Sequence, residues 1–131
     1  MFQTVRGVPL RGARSAALTA TFLIAGIGAL TGATFRLEVR DRRNGGQLRA
    51  GLDTVVSASA EGVRLITVDT VDGVTVNSIG VRIDESTMEA IPSAEPGESE
   101  TIVWGLHITP PGGLKFEAFD GPFIVEASAV A

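Results

Sequence analysis

The sequence predicts an all-β fold, and three observations predict it. Apolar and polar residues alternate with a period of two in most segments, most clearly over residues 102–109, as in strands that bury one face. Turn-forming Gly, Pro, Asn and Asp separate these segments at spacings typical of sandwiches and barrels. Only one short segment, residues 84–91, has the pattern of a helix. We therefore predict an immunoglobulin-like antiparallel β-sandwich of about seven strands with one short crossover helix, and a small barrel is the alternative.

Length and composition limit the function classes. The 131 residues suffice for one domain with its own core. Because the chain has no cysteine, disulfides, thiol nucleophiles and thiolate metal sites are excluded. A net charge of −4 gives no general attraction to nucleic acid or to an anionic membrane, so we expect neither as a partner.

The first fifteen residues are basic and irregular in pattern. They contain Arg6, Arg11 and Arg14 but no acidic residue, and glycine and proline interrupt them. We therefore divide the chain into a basic N-terminal arm, residues 1–15, and a single β-sandwich domain, residues 16–131. Such an arm is either a disordered terminus or a segment that orders against a neighbouring subunit, with the three arginines as its contacts.

Residues 15–35 carry no charged side chain, as a signal peptide or membrane span would. Threonines and glycines interrupt this run, however, and its apolar residues alternate with Thr19 and Thr21, as in a strand. The glycines between residues 26 and 32 would need a following helix to bind a dinucleotide phosphate. The next residues alternate as a strand does, so we assign the glycines to a turn with positive φ angles.

Each predicted strand is an alternating segment bounded by turn residues. The strands are expected over about residues 17–25, 34–40, 52–57, 62–68 and 79–83 and on the two sides of a hairpin at 102–125. Asn44-Gly45 marks a turn after the second strand. The stretch 69–78, with its Asp-Gly and Asn-Ser dipeptides, is expected to form an extended hairpin or a protruding loop.

The predicted helix spans residues 84–91. An N-cap acid, a first-turn acid, an apolar face and a terminating proline support it: Asp84, Glu85, Met88 with Ile91, and Pro92. A helix of about two turns needs tertiary packing to form, so we expect it to connect two sheets.

Large apolar residues on the inward side of the strands are expected to anchor the core. They are Phe22, Phe35, Trp104, Leu106 and Phe123. Trp104 shares its face with Leu106, which favours a buried position over a ligand platform. Phe116 and Phe119 are the aromatic residues that could be exposed.

The sequence contains no recognisable catalytic pattern. His107, the only histidine, is expected on the polar face of its strand, without a Ser-His-Asp or Cys-His arrangement. Zinc would need several His or Cys ligands. Asp69, Asp72 and Asn77 could together ligate a hard cation such as calcium, but acidic residues in turns are ordinarily solvated, as is the acidic loop at 93–100. We expect no enzyme activity, no catalytic residue, no metal and no cofactor.

Three segments resemble a known family. They are LTGATFRLEVR at 30–40, VWGLHITPPGG at 103–113 and GPFIVE at 121–126. In this order they are similar to segments of small immunoglobulin-like structural proteins of tailed phages and prophages, which in turn resemble the N-terminal domain of phage upper baseplate proteins. The resemblance spans about residues 17–126, and the basic arm and the 69–78 stretch depart from it.

The resemblance implies a non-enzymatic structural component of a tailed-phage virion, at the tail tip or baseplate, that acts as a rigid interaction module. Capsid decoration and neck positions are alternatives. A host-surface carbohydrate-binding module is the competing class, and it would use Phe116 and Phe119. The partners implied are other virion proteins and copies of the same chain, without a small-molecule ligand, assembled in the host cytoplasm.

Overall fold

The computed structural model describes residues 3–42, 45–91 and 102–126. These ranges contain eight β-strands and one short α-helix. In chain order they are β1 (Leu10–Ala13), β2 (Leu18–Ala25), β3 (Thr34–Arg40), β4 (Leu48–Asp53), β5 (Gly62–Val71), β6 (Val74–Ile83), α1 (Glu85–Ala90), β7 (Ile102–Thr109) and β8 (Phe116–Glu126).

The strands form two sheets that pack face to face. The large sheet has the order β1-β8-β7-β3-β4, and the small sheet has the order β2-β6-β5. All neighbouring strands are antiparallel except β1 and β8, which are parallel. The orders β8-β7-β3-β4 and β2-β6-β5 correspond to the G-F-C-C′ and B-E-D orders of immunoglobulin domains. The predicted all-β sandwich is therefore confirmed, and α1 makes the predicted crossover from the small sheet to the large one.

The structure places a strand in the arm that was expected either to be a disordered terminus or to order against a neighbouring subunit. Residues 10–13 form β1, which pairs with β8 from Leu10↔Phe123 to Ala13↔Glu126. Leu10 is buried in the core. A four-residue strand that contains Arg11 and Gly12 has too little alternation to be recognised, because its stability comes from a partner at the other end of the chain.

Two other predicted segments differ in their bounds or form. The third strand was expected at 52–57, but β4 ends at Asp53 because its pairing with β3 turns Ala50 and Leu52 into the core. The stretch 69–78 is the end of the β5–β6 hairpin, the first of the two forms expected. Its turn at Asp72-Gly73 has positive φ at both residues (50° and 77°), as the tight hairpin turns of right-twisted strands require.

The core is built from the inward residues of both sheets and from α1. Four of the predicted anchors are fully enclosed: Phe35, Trp104, Leu106 and Phe123. Phe22 is half-buried and stacks on Trp104, with ring centroids 5.5 Å apart. Met88 and Ile91 of the helical segment are also buried. The carboxylate of Asp84 does not cap α1, because it accepts a hydrogen bond from Arg82 Nε at 2.9 Å instead.

Asn77 is a buried polar residue that braces the loop between β2 and β3. Its Oδ1 accepts a hydrogen bond from the Leu30 amide at 2.9 Å. Its Nδ2 donates to the carbonyl oxygens of Gly28 (2.8 Å) and Ile24 (3.2 Å). The hypothesis of a shared cation ligated by Asp69, Asp72 and Asn77 is wrong for Asn77, because its side chain faces the core and is saturated by backbone groups.

Candidate functional site

The N-terminal arm lies along β8, and we call the strip that receives it the arm site. Beyond the β1–β8 ladder, backbone hydrogen bonds join Val5 N–H to the Ala118 carbonyl (3.0 Å) and Asp120 N–H to the Val5 carbonyl (3.1 Å). Val8 N–H donates to the Asp120 carbonyl at 2.9 Å. The arm is thus held as an added strand at the edge of the large sheet, a common mode of recognising extended segments.

Two features of the body shape the arm site around Val8. The indole Nε1–H of Trp104 donates to the Val8 carbonyl at 2.8 Å. Gly121 lies directly beneath the arm, where a Cβ atom would come within 2.0 Å of the Val8 carbonyl oxygen. The close approach of the two backbones therefore requires glycine at this position, and the buried tryptophan finds its polar partner in the arm.

The three arginines predicted as subunit contacts lie in the arm site of their own chain. Arg6 pairs with Asp120 at 2.7 Å, and that carboxylate is only 4% exposed. Arg11 pairs with Glu126 at 2.5 Å, where both side chains are more than half exposed. Arg14 donates to the Glu89 carbonyl at 3.4 Å. Contacts of these residues with a neighbouring subunit stay a prediction.

The carboxylates of β8 form an interacting group beside the arm. Burial, together with a hydrogen bond to Asp120 and the charge of that residue, raises the pKa of the Glu117 carboxyl above its ordinary value. His107 and Arg6 oppose this shift in pKa, and His107 Nε2 lies 3.7 Å from Glu117 Oε2. Burial first, and then the hydrogen bond to Asp120 and its like charge, explain why Glu117 holds its proton more tightly.

A second charged group lies on the same outer face, on β3. Glu38 accepts hydrogen bonds from Arg36 at 3.2 Å and from Arg40 at 2.9 Å. Burial raises the pKa of Glu38, but the hydrogen bonds from Arg40 and Arg36 outweigh it and hold the pKa below its ordinary value. Arg36 also reaches Asp53 at 3.1 Å and lies over Gly51, where a Cβ would collide with its guanidinium.

A groove of about 440 Å³ separates these two groups, lined among others by Arg6, Glu38, Arg40, His107, Glu117 and Asp120. Both signs of charge line it, and the acids listed above are engaged by neighbouring side chains. Within the ranges that the structure describes, no group of three or more His, Asp or Glu side chains is placed to hold a metal. The groove is therefore lined by paired charges of both signs.

The outer face of the small sheet has the opposite character. Four exposed aliphatic side chains lie on it, and we call them the apolar patch: Leu23, Ile66, Val71 and Val74. Ile66 lies over Gly80, which has no side chain to displace it. In the described part of the chain, β2 pairs with β6 alone, whereas β5 pairs with β6 and, through one isolated bridge at Val63, with Thr54. Each is the last strand at its side of the small sheet.

The aromatic residues that the structure describes do not offer a sugar-stacking platform. Of the two aromatic residues that could be exposed, Phe119 is buried and Phe116 is half-buried against the core. A bulge in the β7–β8 pairing between Leu106 and His107 turns both Ala118 and Phe119 inward. None of the aromatic rings in the described ranges is exposed.

Other predicted residues lie where they carry no site. His107 is half-exposed on the polar face of β7, as expected. Asp69 accepts a hydrogen bond from Thr67 Oγ1 at 3.2 Å. The acidic loop at 93–100, Pro92 and the turn residue Asn44 lie outside the described residues.

Sequence reasoning missed Asp120 and Gly121. Their signal was present, since an acid followed by glycine interrupts the apolar run from Phe116 to Val125. An acid within a core strand needs a cation or donors to satisfy it, but the sequence did not indicate that Arg6 supplies one.

Comparisons with known proteins add no family. No protein-family model matches the chain, and no curated protein matches it. The fold and the arm site together define an immunoglobulin-like sandwich with a docked N-terminal strand. No helix among the described residues has the length and apolar character to span a membrane.

Proposed function

We propose that this chain is a non-enzymatic structural component of a tailed-phage virion that acts as a rigid interaction module at the tail tip or baseplate. The resemblance of residues 17–126 to phage sandwich proteins supports the virion assignment. The observation that carries the role of interaction module is the apolar patch on the small sheet. The module is assembled in the host cytoplasm and contacts other virion proteins and copies of itself.

The exposed apolar patch is energetically unfavourable as long as the protein is a monomer in water. Leu23 and Val71 are 65% and 55% exposed, and each large aliphatic side chain gains about 1.5–3 kcal/mol when it is fully buried. The four side chains share one sheet face, with Thr67, Asp69 and Ser78 between them, and exposed apolar surface on one face is a feature of protein–protein contact sites. Burial of the patch against a neighbour in an assembled particle would recover this free energy.

The body around the patch suits a rigid block. The arm closes one edge of the large sheet, Trp104 links the arm to the core, and Asn77 braces the loop behind the small sheet. A block whose loops and ends are held in this way loses little conformational entropy when it docks. A carbohydrate-binding role is not supported, because the described aromatic rings are not exposed.

Quantitative mass spectrometry of purified particles of the phage that encodes the chain tests the proposal. We expect the chain in particles, in a small number of copies for a tail tip or baseplate position and in hundreds for capsid decoration. Its absence from intact particles would refute the virion assignment.

A matched pair of variants tests the role of the patch. Val71→Lys places a charge in the apolar patch, whereas Leu114→Lys places the same charge at a 91% exposed residue in the β7–β8 turn. We expect Val71→Lys to reduce incorporation into particles at least tenfold and Leu114→Lys to leave it unchanged. Equal incorporation of both variants would contradict a role for the patch in assembly.

A further inference from the structure

We propose that the free edge of β2 pairs with β2 of a second copy of this chain, antiparallel about a two-fold axis. The two small sheets would then join into one continuous six-stranded sheet. This inference rests on the proposed role as an interaction module and names a second copy of the chain as the partner at one edge. The dimer is tested on the purified chain without virions, so the dimer and the virion assignment can be refuted separately.

The edge of β2 is open because the preceding strand lies elsewhere. In constant-type immunoglobulin domains a strand A flanks strand B, to which β2 corresponds. Here β1, the strand before β2, pairs with β8 in the large sheet. In the described part of the chain no strand occupies the position beside β2, and Thr19, Thr21 and Leu23 are exposed along it.

The edge of β2 lacks the features that protect other sheet edges from pairing. Natural edges are protected by charges, proline, bulges or short length. All eight residues of β2, LTATFLIA, are uncharged, and they pair with β6 without a register shift.

The other three edge strands each carry such a protective feature. The edge strand β5 has a bulge between Leu65 and Thr67 and carries Arg64 and Asp69. The edge strand β4 is shorter, has a register shift opposite it and carries Arg49. The edge strand β1 has four residues and carries Arg11. Among the edge strands of the described residues, β2 is therefore the one that lacks protection against pairing.

Because the β2 edge carries no charge, two copies of it can meet without repulsion. In a two-fold interface the same surface of each copy faces its equivalent on the other copy, so a charge near the axis would face an identical charge. The nearest outward charge is Arg82 on β6, opposite Thr19. The two β6 strands would lie about three strand spacings apart, roughly 14 Å, beyond the screening length of about 8 Å at physiological salt.

The pleat determines the register. Even-numbered residues of β2 face the core and odd-numbered residues face solvent, and residues opposite each other in a sheet must share a face. The register that places Thr21 opposite Thr21 on the axis meets this rule. It also sets Phe22 opposite Ala20 and Leu23 opposite Thr19, so that these two large side chains each face a smaller one.

Placing a charged side chain at the two-fold axis tests the interface. Thr21→Lys would bring two ammonium groups face to face, and Thr21→Glu would do the same with two carboxylates. By sedimentation equilibrium we expect a dimer for the unmodified chain and at least a tenfold weaker dimer for each variant. An equimolar mixture of the two variants should recover the dimer, because Lys then faces Glu. Thr67→Lys, on the same outer face but on β5, is the matched control and should dimerise normally.

Cross-linking gives an independent readout, since the chain has no cysteine of its own. Thr21→Cys should form an interchain disulfide under mild oxidation, and Thr67→Cys should not. A monomeric unmodified chain at concentrations up to about 1 mM, where even weak pairing would be seen, would overturn the proposal. So would a dimer that Thr21→Lys leaves intact while circular dichroism shows the variant folded.

Discussion

Asp120 is the residue that joins the N-terminal arm to the body. Its backbone N–H and carbonyl bond the arm at Val5 and Val8, and its carboxylate receives Arg6. A carboxylate this deeply buried must be compensated by cations or donors. Arg6 therefore contributes more to stability than its exposed position on the arm would indicate.

Substitution of the arm arginines tests this ranking. Arg6→Ala removes the cation beside a carboxylate that is 4% exposed, and we expect it to lower the free energy of unfolding by about 1–3 kcal/mol. Arg11→Ala removes an exposed ion pair and should change it by less than about 1 kcal/mol. Urea unfolding of both variants measures the difference. Equal effects would show that the burial of Asp120 does not matter.

Gly121 sets how closely the arm can approach β8. In Gly121→Ala the new methyl group would collide with the Val8 carbonyl oxygen, so the arm must move away and the Trp104 hydrogen bond must break. We expect a loss of about 1–3 kcal/mol and a red shift of the fluorescence of the single tryptophan. Gly105→Ala is the control, since its methyl would meet its nearest atoms at 3.8 Å. An unshifted emission for Gly121→Ala would contradict the contact.

At the scale of the elements, β3 and β8 carry acids whose pKa values move in opposite directions. The pKa of Glu117 is raised by burial and by Asp120, and the pKa of Glu38 is lowered because its hydrogen bonds to Arg40 and Arg36 outweigh burial. A raised carboxyl pKa gives stability that is present below the ordinary value of 4.5 and lost as pH rises through the raised pKa. A lowered one gives stability that is present above 4.5 and lost as pH falls through the lowered pKa.

Two glutamine variants convert these directions into a measurement. Near pH 7, Glu117→Gln should melt above the unmodified chain, because it removes repulsion with Asp120, and Glu38→Gln should melt below it. Near pH 4 the Glu117 difference should shrink, because a carboxyl with a raised pKa is then largely protonated. The Glu38 difference should begin to shrink only below pH 4.5, as pH falls towards the lowered pKa of Glu38. Thermal melts at the two pH values provide the readout. A difference of the same sign for both variants at neutral pH would contradict the assigned pKa directions.

How far the sequence predicts each element depends on where its stabilising contacts lie. The prediction for β3 matches the observed strand because Phe35, Leu37 and Val39 alternate within one segment. The helix α1 was likewise predicted from local features. For β1 the stabilising partner is β8, more than a hundred positions away, as the hydrogen bond between Thr4 and Glu117 across 113 positions illustrates. Local periodicity carries no information about such a pairing.

In the candidate site, too, the sequence predicts features that depend on one segment and misses those that depend on distant segments. The inward positions of Trp104 and Leu106 follow from their own strand, whereas the contact of Trp104 with Val8 depends on the docked arm. Phe119, which the sequence left open to exposure, is buried because the bulge in the β7–β8 pairing shifts the alternation by one residue. A bulge depends on pairing between strands, which one segment does not reveal.

The whole molecule is asymmetric in how its two sheets end. The large sheet carries the arm on one edge and paired charges on its outer face, while the small sheet carries the apolar patch and the unprotected β2 edge. Displacement of the first strand from one sheet to the other produces this asymmetry. It leaves a sandwich whose small sheet is suited to contact with neighbours, consistent with the proposed structural role.

The parallel pairing of β1 with β8 also has a consequence for folding during synthesis on the ribosome. The strand made first can dock only after the strand made last has emerged, and at typical rates of synthesis this delay is roughly ten seconds. During that interval Leu10 lacks its place beside Phe123, and Arg6 and Arg11 lack their acidic partners. The nascent protein therefore passes through a stage in which β2 to β7 have been made but β8 has not, and in that stage the basic arm is available to other molecules.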